Sequence, residues 1–154
     1  MTRHFLPVSG IRLGVAAAGI KYPGRNDLLV IELREGASCA GVFTRNAFCA
    51  APVHVARRHL RAASPRYLLV NSGNANAGTG DQGMRDALQS CEALAARTGC
   101  GLDRVLPFST GVIGENLPLE RMVQAMPDAI AGLDELGWEE ASKTIMTTDT
   151  RPKL

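Results

Sequence analysis

The sequence predicts an α/β chain, and three observations predict it. Apolar runs with the length of buried strands recur, most clearly over residues 27–33 (Asp-Leu-Leu-Val-Ile-Glu-Leu) and 67–70 (Tyr-Leu-Leu-Val). Segments with apolar residues at helical spacing alternate with them, the clearest over residues 81–98. Clusters of Gly, Pro and Asn punctuate the boundaries.

In chain order, residues 10–19 (Gly-Ile-Arg-Leu-Gly-Val-Ala-Ala-Ala-Gly) are small and apolar, which fits a strand packed closely on another element. Lys21-Tyr22-Pro23-Gly24 is a turn by composition. The run over 27–33 is too continuous for a strand with one wet face. Gly36 ends it, and residues 38–44 are expected to return as its hairpin partner. Residues 52–63 read as a helix, with Pro52 in the first turn, Val53, Ala56 and Leu60 along one face, and Arg57, Arg58 and Arg61 outside it. His54 and His59 lie in this helix without a neighbouring carboxylate or second ligand, so both are expected to be solvated.

After the strand at 67–70 comes a loop of small polar residues, 71–80 (Asn-Ser-Gly-Asn-Ala-Asn-Ala-Gly-Thr-Gly). Asn and Gly tolerate left-handed backbone, and Asn side chains bond their own main chain. Neither phosphate-binding glycine pattern is present, so two readings stand: a self-bonded structural loop, or one wall of an active site. In the helix over 81–98, Met84, Ala87, Leu88, Cys91, Leu94 and Ala95 share a face, and Gly99 stands at the C′ position. Leu119, Met122, Val123 and Met126 form a helical face interrupted at Pro127, with a break or a second short helix expected over 128–133. Residues 138–143 add a further helical turn or two.

The chain is organised around residues 107–115 (Pro-Phe-Ser-Thr-Gly-Val-Ile-Gly-Glu), entered by the short strand Arg104-Val105-Leu106 and left by a helix behind Asn116-Leu117-Pro118. Gly111 and Gly114 let the backbone approach a ligand, and either can take positive φ. A strand that breaks into such a turn leaves N–H groups without ladder partners, and backbone donors of that kind stabilise a developing oxyanion. An ordinary glycine turn is the plainer reading. The end of the chain is also unusual. Residues 144–150 carry four threonines around Asp149 and are expected to form a strand, one that stops at Arg151-Pro-Lys-Leu154 with a sheet edge for a partner to complete.

With 154 residues, 45% of them hydrophobic, the chain can bury the core of one domain or a large part of one. Seventeen basic residues against 15 acidic, without a basic stripe, and 5% aromatics argue against a nucleic-acid partner. Cys39, Cys49, Cys91 and Cys100 have no metal-finger spacing, and no metal site is expected. All four are read as reduced thiols in a cytoplasmic protein. Neither a secretory signal nor a membrane span is recognisable.

Three motifs in register, residues 71–80, Ser109-Thr-Gly-Val-Ile-Gly-Glu115 and Ile145-Met-Thr-Thr-Asp-Thr150, resemble the N-terminal (α) part of the ornithine acetyltransferase family, the glutamate N-acetyltransferases of arginine biosynthesis. Val42-Phe-Thr-Arg-Asn46 and Ala51-Pro-Val53 match its early segment, so the resemblance spans nearly the whole chain. It implies an α/β fold with mixed sheets layered between helices. It implies a precursor that cleaves itself before a Thr into α and β chains, which assemble as a pair of αβ units. The N-terminal Thr of the β chain would take the acetyl group from N-acetylornithine and pass it to glutamate, its own α-amine serving as base. By the same resemblance Thr110 and Gly111 are oxyanion-hole residues, and Thr147 contacts substrate, with Thr148 the alternative. No cofactor is implied, and acetyl-CoA stands open as a second acetyl donor. The family's α segment continues to a Lys-Gly-Ser-Gly-like stretch and the cleavage point, neither of which occurs in these residues, so the whole of 1–154 is expected to be an α-chain fragment, inactive alone. Two other readings are an amidohydrolase or aminopeptidase with an N-terminal nucleophile, and a non-catalytic module binding a small metabolite.

Overall fold

A computed structural model describes residues 5–149. Its strands are β1 (Ile11–Ala16), β2 (Leu28–Leu33), β3 (Tyr67–Asn74) and β4 (Val105–Val112). Its helices are α1 (Ala51–Ala62), α2 (Gly80–Thr98), α3 (Leu119–Ala131) and α4 (Trp138–Thr144), and a 3-10 turn at Leu102–Arg104 leads into β4. The strands form one mixed sheet in the order β1-β2-β3-β4. β1–β2 and β2–β3 pair antiparallel, and β3–β4 pair parallel through the α2 crossover.

Strand side chains alternate between the two faces, so each face has its own cluster. Leu28, Val30, Tyr67, Leu69 and Val105 pack under Val55 of α1, Cys91 and Leu94 of α2, and Met122, Met126 and Ala129 of α3. Leu13, Leu29 and Ile31 point the other way, onto Trp138 and Ala141 of α4. This is the layered α/β arrangement expected, and β2, covered on both faces, accounts for its unbroken apolar run. β1 is close-packed as expected: a Cβ on Gly14 would lie 1.9 Å from the backbone oxygen of Ala129.

Several expectations are overturned. Residues 38–44 form no strand, because both edges of β2 are already occupied by β1 and β3. They run as an exposed strap over α1, held where Arg57 donates to the Thr44 carbonyl at 2.9 Å. α1 buries Pro52, Val55, Ala56 and His59, with Val53 and Leu60 only half-buried, so its buried face is rotated from the one expected. α3 runs through Pro127 unbroken. Pro127 is on the exposed side, where a carbonyl deprived of its N–H can be hydrated. The expected strand over 144–150 is instead the end of α4 followed by irregular backbone. The Thr144 hydroxyl donates back to the Glu140 carbonyl at 2.8 Å, and Ile145 N–H returns to Ala141 O, so the β-branched residues finish a helix. Over the described residues there is thus no sheet edge at 145–149. Thr150 and the terminal four residues lie outside the described residues. The C′ expectation holds: Gly99 has φ 71° and its N–H reaches Ala95 O.

Candidate active site

The central motif is more strand than turn. β4 continues through Thr110 and Gly111 to Val112, parallel to β3, with Ser72 opposite Thr110 and Gly73 opposite Gly111. The register slips at Gly73/Asn74, where Asn74 faces both Thr110 and Val112. The turn comes only at 113–115, and the Gly114 N–H, expected to be open, donates to Ala77 O at 2.8 Å. Both glycines do have positive φ, 135° at Gly111 and 83° at Gly114. At Gly111 the cause is β3: a Cβ there would lie 2.4 Å from the Gly73 carbonyl carbon and 2.6 Å from Asn74 N. Such a slip in the ladder is where an N–H can be re-aimed.

The stretch after Val70 splits in two. Asn71, Ser72, Gly73 and Asn74 belong to β3, not to a loop. Beyond them the polar groups satisfy one another. Asn71 Nδ2 donates to Asn74 O at 2.8 Å and its Oδ1 accepts the Ser109 hydroxyl at 2.6 Å. Asn74 Nδ2 reaches Glu115 O and Asn116 O, and its Oδ1 accepts the Asn76 N–H. Asn76, at φ 46°, donates to Gly83 O and accepts from the Thr79 hydroxyl. The self-bonded reading holds for Asn71, Asn74 and Asn76, whereas Ser72 and Gly73 line a cavity.

That cavity, about 390 Å³, opens beyond the carboxyl ends of the parallel pair β3 and β4. Crevices of this kind are where open α/β sheets hold ligands. Thr110, Gly111, Thr147 and Thr148 all line it, so residues 36 or more apart in sequence share one space. The part of the wall contributed by the β1–β2 connection was not legible in the sequence. Asp27 is 3% exposed, and its carboxylate accepts the N–H groups of Ala18 and Ile20 at 2.7 and 2.6 Å. Its carbonyl takes the Ser72 N–H at 2.9 Å. Asp27 therefore fixes the β1–β2 connection over the strand ends, bringing Lys21, Tyr22 and Arg25 to the rim. On the far wall the Ser72 hydroxyl donates to Thr144 O at 2.6 Å, and Arg25 donates to Met146 O at 2.6 Å. Among the described residues, the hydroxyls of Thr110, Thr147 and Thr148 bond to no protein group. A wall of hydroxyls, amides and two cations, its carboxylate already engaged, favours negative charge in a bound molecule.

The histidines are elsewhere. His54 is exposed as expected, but His59 is 3% exposed and its Nδ1–H donates to the Val105 carbonyl at 2.7 Å, joining α1 to β4. All four cysteines are free thiols, and burial pushes the Cys91 thiol up to about 12. Among the described residues no cluster of His, Cys, Asp and Glu is placed to hold a metal ion, and no helix is long and apolar enough to cross a membrane.

Residues 12–154 match the model of the ArgJ family. The arginine biosynthesis bifunctional protein ArgJ of Methylococcus capsulatus is 66% identical over 147 residues, and that of Pseudomonas syringae pv. tomato is 54% identical. In each case the match covers 96% of this chain and 36% of the relative, so the chain spans about a third of the length of these proteins. The crystal structure of ornithine acetyltransferase complexed with ornithine from Mycobacterium tuberculosis matches with a TM-score of 0.89 at 36% identity, covering 94% of this chain and 79% of that one. The Bacillus halodurans arginine biosynthesis bifunctional protein matches at 0.78 and 31% identity, over 93% of this chain and 75% of that one. With a family model matched along nearly its whole length, with the motifs at 71–80 and 109–115 meeting at one crevice, this chain belongs to the ArgJ family.

Proposed function

We propose that the chain is the α part of a glutamate N-acetyltransferase, moving an acetyl group from N-acetylornithine to glutamate once a β chain from the same precursor completes it. The observation that carries this reading is the convergence of Thr110, Gly111, Thr147 and Thr148 on one cavity in an ArgJ-family chain. The β-chain Thr, with its α-amine as base, attacks the acetyl carbonyl carbon. The C–N bond to ornithine then breaks, and the amine proton leaves with the ornithine nitrogen. The glutamate amine next attacks the acetyl ester, returning the Thr hydroxyl. Each attack places negative charge on the carbonyl oxygen, which the Thr110 hydroxyl and the Gly111 N–H receive. Thr147, or Thr148 beside it, binds the substrate across the cavity. Acetyl-CoA as an alternative donor, and a dimer of αβ units, belong to the same reading.

The test uses the complete enzyme with N-acetylornithine and glutamate. Loss of one oxyanion donor typically costs ~2.7–4 kcal/mol, a ~100–1000-fold fall in turnover. Thr110→Val is expected to show that fall with a substrate KM close to wild type, and Thr110→Ser to keep most activity. A folded Thr110→Val enzyme with normal turnover would remove the hydroxyl from the hole.

A further inference from the structure

Beyond α4 the backbone over 145–149 belongs to no strand or helix, yet Met146, Thr147 and Thr148 line the cavity. The amides of Ile145 and Met146 return to α4, on Ala141 O and Lys143 O. From there the path of the chain is fixed by tethers on its carbonyls. Thr144 O accepts the Ser72 hydroxyl, and Met146 O accepts the Arg25 guanidinium at 2.6 Å across 121 positions of sequence. Met146 O immediately precedes Thr147, so this bond sets the direction in which Thr147 and Thr148 leave. A cationic donor on a carbonyl is roughly twice as strong as a neutral one. Arg25 is itself half-buried on a connection that Asp27 holds rigid, and it contributes to neither core cluster. We infer that Arg25 is a positioning residue: by gripping the Met146 carbonyl it holds Thr147 and Thr148 against the cavity, and so sets affinity for the acyl donor. This rests on the proposed function for the cavity, but the tether itself can be read without it.

The experiment takes Arg25→Met, which keeps the stem and removes the donors, and Arg25→Lys, which restores one cation, in the complete enzyme. Hydrogen exchange and steady-state kinetics with N-acetylornithine are measured on both. For Arg25→Met, amides over 145–149 should exchange about 10-fold faster while those of β4 are unchanged, and KM should rise about 10-fold with turnover held within about threefold. Arg25→Lys should recover part of both effects. Unchanged exchange at 145–149 overturns the tether. Faster exchange with unchanged KM overturns its role at the site. A fall in melting temperature for both variants, with exchange faster throughout the sheet, makes Arg25 an ordinary structural residue and also overturns it. Wild-type enzyme without acetyl transfer would defeat the proposed function instead, while exchange at 145–149 still reports the tether.

Discussion

Residues 74–83 and the cavity rim are made of the same materials, small polar side chains and glycines, and they behave in opposite ways. Asn74 and Asn76 are 3% and 0% exposed, and each has its amide taken up by backbone carbonyls. Thr110 and Thr147 are half-buried and face an open cavity. A buried amide must be paired, because leaving it unsatisfied costs about 1–3 kcal/mol. A rim hydroxyl can leave its bonding capacity to water or ligand. The difference lies in where hydrogen bonds go, a property of the fold that residue types alone do not report. Substitutions in the first region should therefore act on stability, and substitutions in the second on kinetics.

Gly111 is the place where the comparison should break. It stands on the rim, but a side chain there meets backbone of β3, which cannot rotate away. Its φ of 135° is closed to residues with a Cβ, and such strain alone costs about 1–3 kcal/mol. Gly111→Ala is expected to lower the melting temperature of the complete enzyme and its turnover together. The combined loss should exceed about 3 kcal/mol, the upper end of the strain cost. A variant that melted like wild type but failed to turn over would place the constraint on the substrate rather than on β3.

Asn76→Ala sharpens the comparison from the buried side. It takes the acceptor from the Thr79 hydroxyl and a side-chain donor from Gly83 O, which α2 still pairs within the helix, and it puts a residue without Asn's local bonding at φ 46°. Losses of about 1 kcal/mol for the hydrogen bonds and about 1 kcal/mol for the backbone are expected, with KM unchanged in the folded fraction. Cys91 lies on α2, the helix that carries Gly83, and its thiol reads the same event. Burial holds its ionisation near 12 against an ordinary 9.0, so the folded state keeps a proton that the unfolded state loses. Stability from this group is complete below pH 9.0 and drains away as pH rises towards about 12. Each pH unit in that window removes up to ~1.4 kcal/mol. Thiol reagents should reach Cys91 slowly in wild type, faster in Asn76→Ala, and no faster in rim variants. Equal rates in all three would mean the Asn network does not keep α2 closed.

Much of this was legible in the sequence, for identifiable reasons. β2 and α2 announced themselves because their apolar spacing reflects burial on both faces and on one face respectively. Thr110, Gly111, Thr147 and Thr148 were singled out by family motifs and do meet in one cavity. Propensity misled where tertiary pairing decides. Residues 38–44 look like a hairpin partner for β2 but find both of its edges taken, and Thr144 and Ile145 look like a strand but close a helix. His59 read as solvated because nothing local marks a carbonyl 46 positions away as its partner. Asp27 and Arg25 gave no signal for the same reason, since each acts on a backbone group distant in sequence or on its own loop.

The smallest expected effect is at Thr147. Thr147→Val keeps the shape and removes one hydroxyl from a segment outside any helix or strand, so the fold has little to lose. One hydrogen bond to substrate is worth ~0.5–1.5 kcal/mol net, a rise in KM of about 2- to 12-fold. Turnover should stay near wild type if the bond is equally strong in ground and transition states. Thr148→Val is the internal control, one residue further out and more exposed. If KM moves only with Thr148, the contact sits one residue later than proposed. If it moves with neither while Thr110→Val still loses turnover, the oxyanion wall stands and the far wall serves only to shape the cavity. The comparison then narrows to the two strand ends, where Ser72 and Gly73 face Thr110 and Gly111, and the rim from α4 joins the structural side.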